Sequence, residues 1–160
     1  MRITFDTNIL VYAADSGAGT KHEVAGDLIT RATNVDSMLV LQCLAEFFFV
    51  ATRKAKAEPT VVKEFVTDWR EVFAIRGADE ETFVRAMDAV VLHGIAFWDA
   101  MMWAVARQAQ CDFLISEDFQ DGRQLEGVTF LTDIPQIVSW FAEIIAPCHR
   151  RGNEIIFAAA

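Results

Sequence analysis

Hydrophobic positions along this chain switch between two periods. Arg2–Phe5 is a short β-prone run, and Asp6, Thr7 and Asn8 after it are turn-formers, predicting a strand that ends at Asp6 and a helical turn through Leu10–Ala13. Asp15–Thr20 is loop by composition. Lys21–Thr33 carries Val24, Ala25, Leu28 and Ile29 at amphipathic-helix spacing. Ser37–Leu41 predicts a second strand and Gln42–Lys54 a helix. From Pro59, suited to a first helical position, Val61, Val62, Phe65, Val66, Trp69, Val72 and Phe73 keep helical period. Asp79, Glu80 and Glu81 open another helix with acids at its positive end, and Gly94 breaks it. Ala96–Gln110 reads as helix, Cys111–Ser116 as a third strand, Val128–Leu131 as a fourth and Ile134–Ile145 as a last helix.

Strands separated by helices predict an α/β fold, with helices on both faces of a central, mostly parallel sheet of four to five strands. Residues 1–146 supply that three-layer domain, and residues 147–160 are read as a tail of no assigned structure.

Four acids interrupt the apolar pattern. Glu46 is the only charged residue between Ser37 and Thr52, and Phe47, Phe48 and Phe49 follow it, which predicts an acid with little access to solvent. Asp99 is the only formal charge between Ala89 and Ala106, among Phe97, Trp98, Met101, Met102 and Trp103. Asp6 ends one apolar strand, and Asp118 follows another. In an open parallel sheet, ligands bind beyond the carboxyl ends of the strands, and all four acids are predicted to reach that edge.

Two carboxylates about 4 Å apart repel by about 4 kcal/mol at an effective dielectric near 20. Neither apolar stretch offers a Lys or Arg to relieve this. Protonation of one or two acids is one form of relief. A hard divalent cation, Mg²⁺ or Mn²⁺, is another, because an all-oxygen donor set selects it over zinc.

Composition narrows the classes. The chain has 160 residues, 53% of them hydrophobic, enough for one domain with a full core. A formal net charge of −9 excludes a broadly basic polyanion binder. Arg53, Lys54, Lys56, Lys63, Arg70, Arg76 and Arg123 are candidate phosphate contacts, or equally a solvated face. Cys43, Cys111 and Cys148 are too scattered for a disulfide framework or a zinc site and fit the reducing cytoplasm. No stretch suits a signal peptide or a membrane span.

Phe5–Ala13, Leu41–Val50, Phe97–Ala106 and Cys111–Gly122 together resemble the PIN domain family, and in order and spacing its bacterial VapC-type toxins. The resemblance covers Met1 to about Ile145. It implies a metal-dependent endoribonuclease, usually a homodimer, acting on RNA and held inactive by a cognate antitoxin protein. Asp6, Glu46, Asp99 and Asp118 match the family's acidic quartet; Thr7 and Asn8 match the polar residues that position the first acid and the water shell of the metal. Ser116 matches a small hydroxyl that would orient Asp118. Asp121 is an extra acid that could complete the site instead.

Two other readings stand beside this one. Asp6-Thr7-Asn8 resembles the nucleophilic motif of haloacid-dehalogenase-like phosphatases, but Asn8 replaces the second Asp and Glu46 would have no role. A non-catalytic RNA- or protein-binding module of the same fold is the alternative from another class. His22, near the first loop, is read as a solvated helix-start residue, and the helices between Pro59 and His93 as dimer or antitoxin contacts.

Overall fold

The computed structural model describes residues 1–144, the last three by their backbone alone. Its elements run β1 (Arg2–Phe5), α1 (Thr7–Ala14), a 3₁₀ turn (Ser16–Ala18), α2 (Thr20–Ala32), β2 (Asp36–Val40), α3 (Leu41–Arg53), α4 (Pro59–Val72) and β3 (Ala74–Arg76). The chain continues through α5 (Glu80–His93), α6 (Phe97–Gln108), β4 (Phe113–Ile115), β5 (Gln124–Leu125), β6 (Val128–Leu131) and α7 (Ile134–Ile144).

The six strands are ordered β3-β2-β1-β4-β6-β5, all parallel except β5, which runs antiparallel to β6. The expected α/β class and mostly parallel sheet are present, and the sheet is wider than the four to five strands expected. β3 and β5 are the additions. Phe73, expected to continue a helix, is extended at φ −114° and ψ 141°, and the chain enters β3, where Ala74, Ile75 and Arg76 pair with Met38, Leu39 and Val40. Three- and two-residue strands have too short a pattern to register as period-two alternation; the neighbouring ladder forms them.

The strand order reverses direction at β1. From β1 the chain moves outward to β2 and β3, then crosses back to β4 on the other side of β1. Right-handed crossovers require helices on opposite faces for opposite directions of travel, which assigns α1–α4 to one face and α5–α6 to the other. Helix α1 packs on α2 and α3, and α5 on α6. Helix α6 is the most enclosed, with Ala100 and Met102 to Ala106 all buried and the Trp103 indole donating to the Leu125 carbonyl at 3.2 Å. Phe47 meets Trp69 edge-on at 4.8 Å between ring centroids, tying α3 to α4. Cys43 and Cys111 are buried free thiols, as small core residues would be; Cys148 lies outside the described residues.

Helix α5 starts where its acids predicted. Asp79 accepts from the Thr82 N–H at 2.9 Å, and the Thr82 hydroxyl accepts from the Asp79 N–H at 2.7 Å, a closed capping box. Gly94 ends the helix in the left-handed region at φ 64°. Asp79→Ala should lower the urea midpoint at unchanged slope.

Candidate active site

In register, Phe5 of β1 pairs with Ile115 of β4, and the Asp6 N–H extends the ladder to the Ile115 carbonyl at 2.9 Å. Asp6 and Ser116 therefore leave adjacent strands side by side, at the carboxyl edge where the winding reverses. That is the crevice in which open α/β sheets bind ligands.

Asp6 also starts α1 as its N-cap, accepting from the Thr7 N–H at 2.5 Å, while the Ser116 hydroxyl donates to its other oxygen at 2.5 Å. Thr7 turns its hydroxyl to Glu46, 2.9 Å away on α3, and Gln42, one turn earlier on that helix, donates to the second Glu46 oxygen at 2.8 Å. Gln42 also reaches the Trp98 carbonyl at 3.2 Å, joining the starts of α3 and α6. Asp99 is the third residue of α6, in its first turn. The Asn8 amide donates to Asp118 at 3.2 Å, and the Asp118 N–H donates to the Ser116 hydroxyl at 3.1 Å. Ser116 thus serves both ends of the site, holding the Asp6 carboxylate and the Asp118 backbone, whereas the sequence suggested Asp118 alone.

Exposure rises across the quartet, from buried Asp6 through half-buried Glu46 and Asp99 to exposed Asp118. Glu46 has more solvent than its three phenylalanines suggested. Phe47 is 1% exposed, but Phe48 and Phe49 are 39% and 58% exposed, since consecutive helical residues point in different directions.

Asp6 and Asp99 sense the charges around them. Burial pushes Asp6 up to about 6, against the pull of its two hydrogen bonds, and the charges of Asp118 and Asp99 add to the rise. Asp99 is raised by burial first, then by Asp118 and Glu46. The buried Cys43 thiol is pushed up by desolvation and, after that, by the Asp6 charge. None of the ion pairs among the described residues involves any of the four acids.

Asp121 faces elsewhere, accepting from the Thr132 N–H at 2.9 Å. His22 is half-buried rather than solvated, with its Nδ1 3.0 Å from the Tyr12 carbonyl. Among the phosphate candidates, Arg123 bonds the His93 carbonyl at 3.3 Å, Arg76 sits at the carboxyl end of edge strand β3, and Arg53 at the end of α3 and Lys54 and Lys56 beyond it are exposed. One residue bonded to the quartet escaped the sequence reading: Gln42, whose i, i+4 spacing to Glu46 was a usable signal.

Among the described residues, no three His, Cys, Asp or Glu side chains close around a point as an all-protein metal cage would. Magnesium does not need such a cage, because it keeps several waters and takes one or two carboxylates. The donors suit that mode: oxygen only, mutually repelling, without a cationic partner. The Asn8 side-chain oxygen is buried there with no hydrogen-bond partner among the described residues.

The PIN domain family model matches residues 3–120. Among solved structures, the fold is similar to Mycobacterium tuberculosis VapC20, a sarcin–ricin loop cleaving toxin, with a TM-score of 0.63 at 18% identity over 78% of this chain and 97% of that one. It is similar to a toxin–antitoxin complex from Klebsiella pneumoniae, with a TM-score of 0.58 at 21% identity over 79% and 95%. VapBC2 from Rickettsia felis, bound to a DNA fragment from its promoter, gives 0.58 at 14% identity over 81% and 97%. No curated protein matches the chain. The family match takes in all four acids with α3 and α6, and the chain belongs to the PIN domain family.

Proposed function

We propose that this protein is a divalent-metal-dependent endoribonuclease, the toxin of a toxin–antitoxin pair, acting in the cytoplasm. The observation that carries the reading is a set of four carboxylates with no ion-pair partner among the described residues, at the switch-point edge of a PIN domain, two of them pushed up by burial and neighbouring charge. The names of the solved neighbours, a cleaving toxin and two toxin–antitoxin assemblies, support it.

In this reading Asp6, Glu46, Asp99 and Asp118 hold Mg²⁺ or Mn²⁺. When bound, the ion supplies Lewis acidity, lowering the pKa of a water and offsetting charge on the phosphoryl group. The chain's own residues do the positioning. Ser116 and the Thr7 N–H fix Asp6, while Thr7 and Gln42 fix both oxygens of Glu46, so neither carboxylate must reorient as charge develops. Asn8 steers Asp118, the most exposed of the four.

Partners follow the same reading. Helix α5 leaves Phe83, Val84, Met87, Val91 and Leu92 exposed, and Trp98 follows at the start of α6, a surface suited to a second copy or to an antitoxin. No helix of the described residues is long and apolar enough to cross a membrane.

Induced expression in a bacterial host tests this directly. Growth arrest with fragmented transcripts is expected from the wild type and not from Asp99→Asn. Purified protein that binds RNA yet leaves it intact in Mg²⁺ and Mn²⁺ alike would point to a binding module instead.

A further inference from the structure

Beside the acidic edge lies an arrangement that the quartet does not use. Lys21 donates to Glu117 at 2.7 Å and to the Tyr12 hydroxyl at 3.0 Å, and its ammonium stands 4.4 Å from the Tyr12 ring centroid. Tyr12 in turn donates to the same Glu117 oxygen at 3.0 Å, while His22 contacts the Tyr12 carbonyl. The triangle is fixed, and it sits one residue from Asp118. An ammonium has three donors, and two are engaged here. The Lys21 side chain is 52% exposed, so the third is open to solvent. Next to it is a pocket of about 190 Å³ between α1, α2 and the start of α7, walled by Tyr12, Val24, Ile134 and Pro135 and rimmed by Lys21 and Glu117. A cation in the first turn of α2 opposes the helix dipole, so helix stability does not explain it.

We propose that Lys21, braced by Tyr12 and Glu117, anchors the phosphate of a substrate nucleotide flanking the acidic groove, and that the adjoining apolar pocket receives that nucleotide's base. The proposal rests on the ribonuclease reading above. The acidic quartet repels a polyanion, so a fixed positive point at its margin sets where the strand enters. Glu117 holds Lys21 in place but also offsets its charge. Removing the Glu117 charge should therefore strengthen RNA binding, the opposite of what loss of a purely structural ion pair would do.

Steady-state cleavage of a mixed-sequence single-stranded RNA in Mg²⁺ tests the proposal, with melting temperatures of each variant as the folding control. Lys21→Ala should raise KM about 3- to 5-fold at unchanged kcat. It should also flatten the log–log salt dependence of KM by roughly 0.7, the contribution of one phosphate on a single strand. Lys21→Arg should restore both, and Glu117→Gln should lower KM. Val24→Phe, which fills the pocket, should raise KM and alter the preferred cleavage sites without changing the salt slope. Unchanged KM and salt slope in Lys21→Ala, or a KM raised by Glu117→Gln, would overturn the phosphate anchor while the ribonuclease reading stands. Unchanged KM and site preference in Val24→Phe would overturn the base pocket. A wild type that cleaves no RNA would defeat the ribonuclease reading, and this subsite with it.

Discussion

Asp99→Asn should lower RNA cleavage by about 10³-fold or more while the protein melts at the same temperature or higher. Of the four acids, Asp99 gives the cleanest test. Its carboxyl is raised by burial and by the charges of Asp118 and Glu46, with no hydrogen bond acting on it. Substitution by Asn keeps the volume, removes one charge from a repelling group and leaves no donor unpaired. Loss of a ligand to a Lewis acid removes several kcal/mol of transition-state stabilisation, which is the quoted rate factor. Asp6→Asn and Glu46→Gln should also abolish cleavage, but each disturbs hydrogen bonds, two at Asp6 and two at Glu46. Single-turnover cleavage with thermal melts of the same samples decides the matter, and activity retained in Asp99→Asn would remove that residue from the metal's shell.

The metal-free protein should carry a pH-dependent penalty at Asp6. Its folded pKa is about 6 against an ordinary 3.8, so between those values the folded chain binds more protons than the unfolded one. Stability therefore falls as pH rises through that window, and the penalty is complete above it. A shift of about two units corresponds to about 3 kcal/mol. Asp6→Asn removes the titration, so without metal the variant should gain on the wild type by that amount from pH 4 to pH 7, roughly 6–12 °C in melting temperature. Millimolar Mg²⁺ or Mn²⁺ at pH 7 should stabilise the wild type, because an ion bound only by the folded state shifts the equilibrium by mass action. A gap between wild type and variant that stays constant with pH would mean Asp6 is not strained by its surroundings. No metal-induced shift would count against an ion at this edge.

Much of this architecture was legible because long amphipathic segments repeat their period several times. Helices α2, α4 and α5 were placed within a residue or two of their observed ends, and the acids at Asp79, Glu80 and Glu81 marked the start of α5 correctly. β3 and β5 were not legible, since three and two residues cannot display a period and owe their form to Met38–Val40 and to Val128 and Thr129 across the ladder. At the site, Glu46 and Asp99 betrayed themselves as isolated charges in apolar runs, and Asp6 and Asp118 as acids at strand ends. Thr7, Asn8 and Ser116 were named as supports only through the family resemblance, without all of the partners that each one holds. Which acid Ser116 holds depends on the register of β1 against β4, and that register is tertiary information. The phosphate candidates were chosen by sequence clustering, whereas Lys21 reaches Glu117 only through a contact spanning 96 positions.

Placing β1 in the middle of the sheet has a consequence for biosynthesis. The first residues translated find their β4 neighbours only after about 110 more have been made, as the Ser116–Asp6 bond shows. Closing so distant a pairing is slow and comes late in folding. A chain part-way through synthesis therefore lacks β4, and Asp6 gains its Ser116 partner only once the domain is whole.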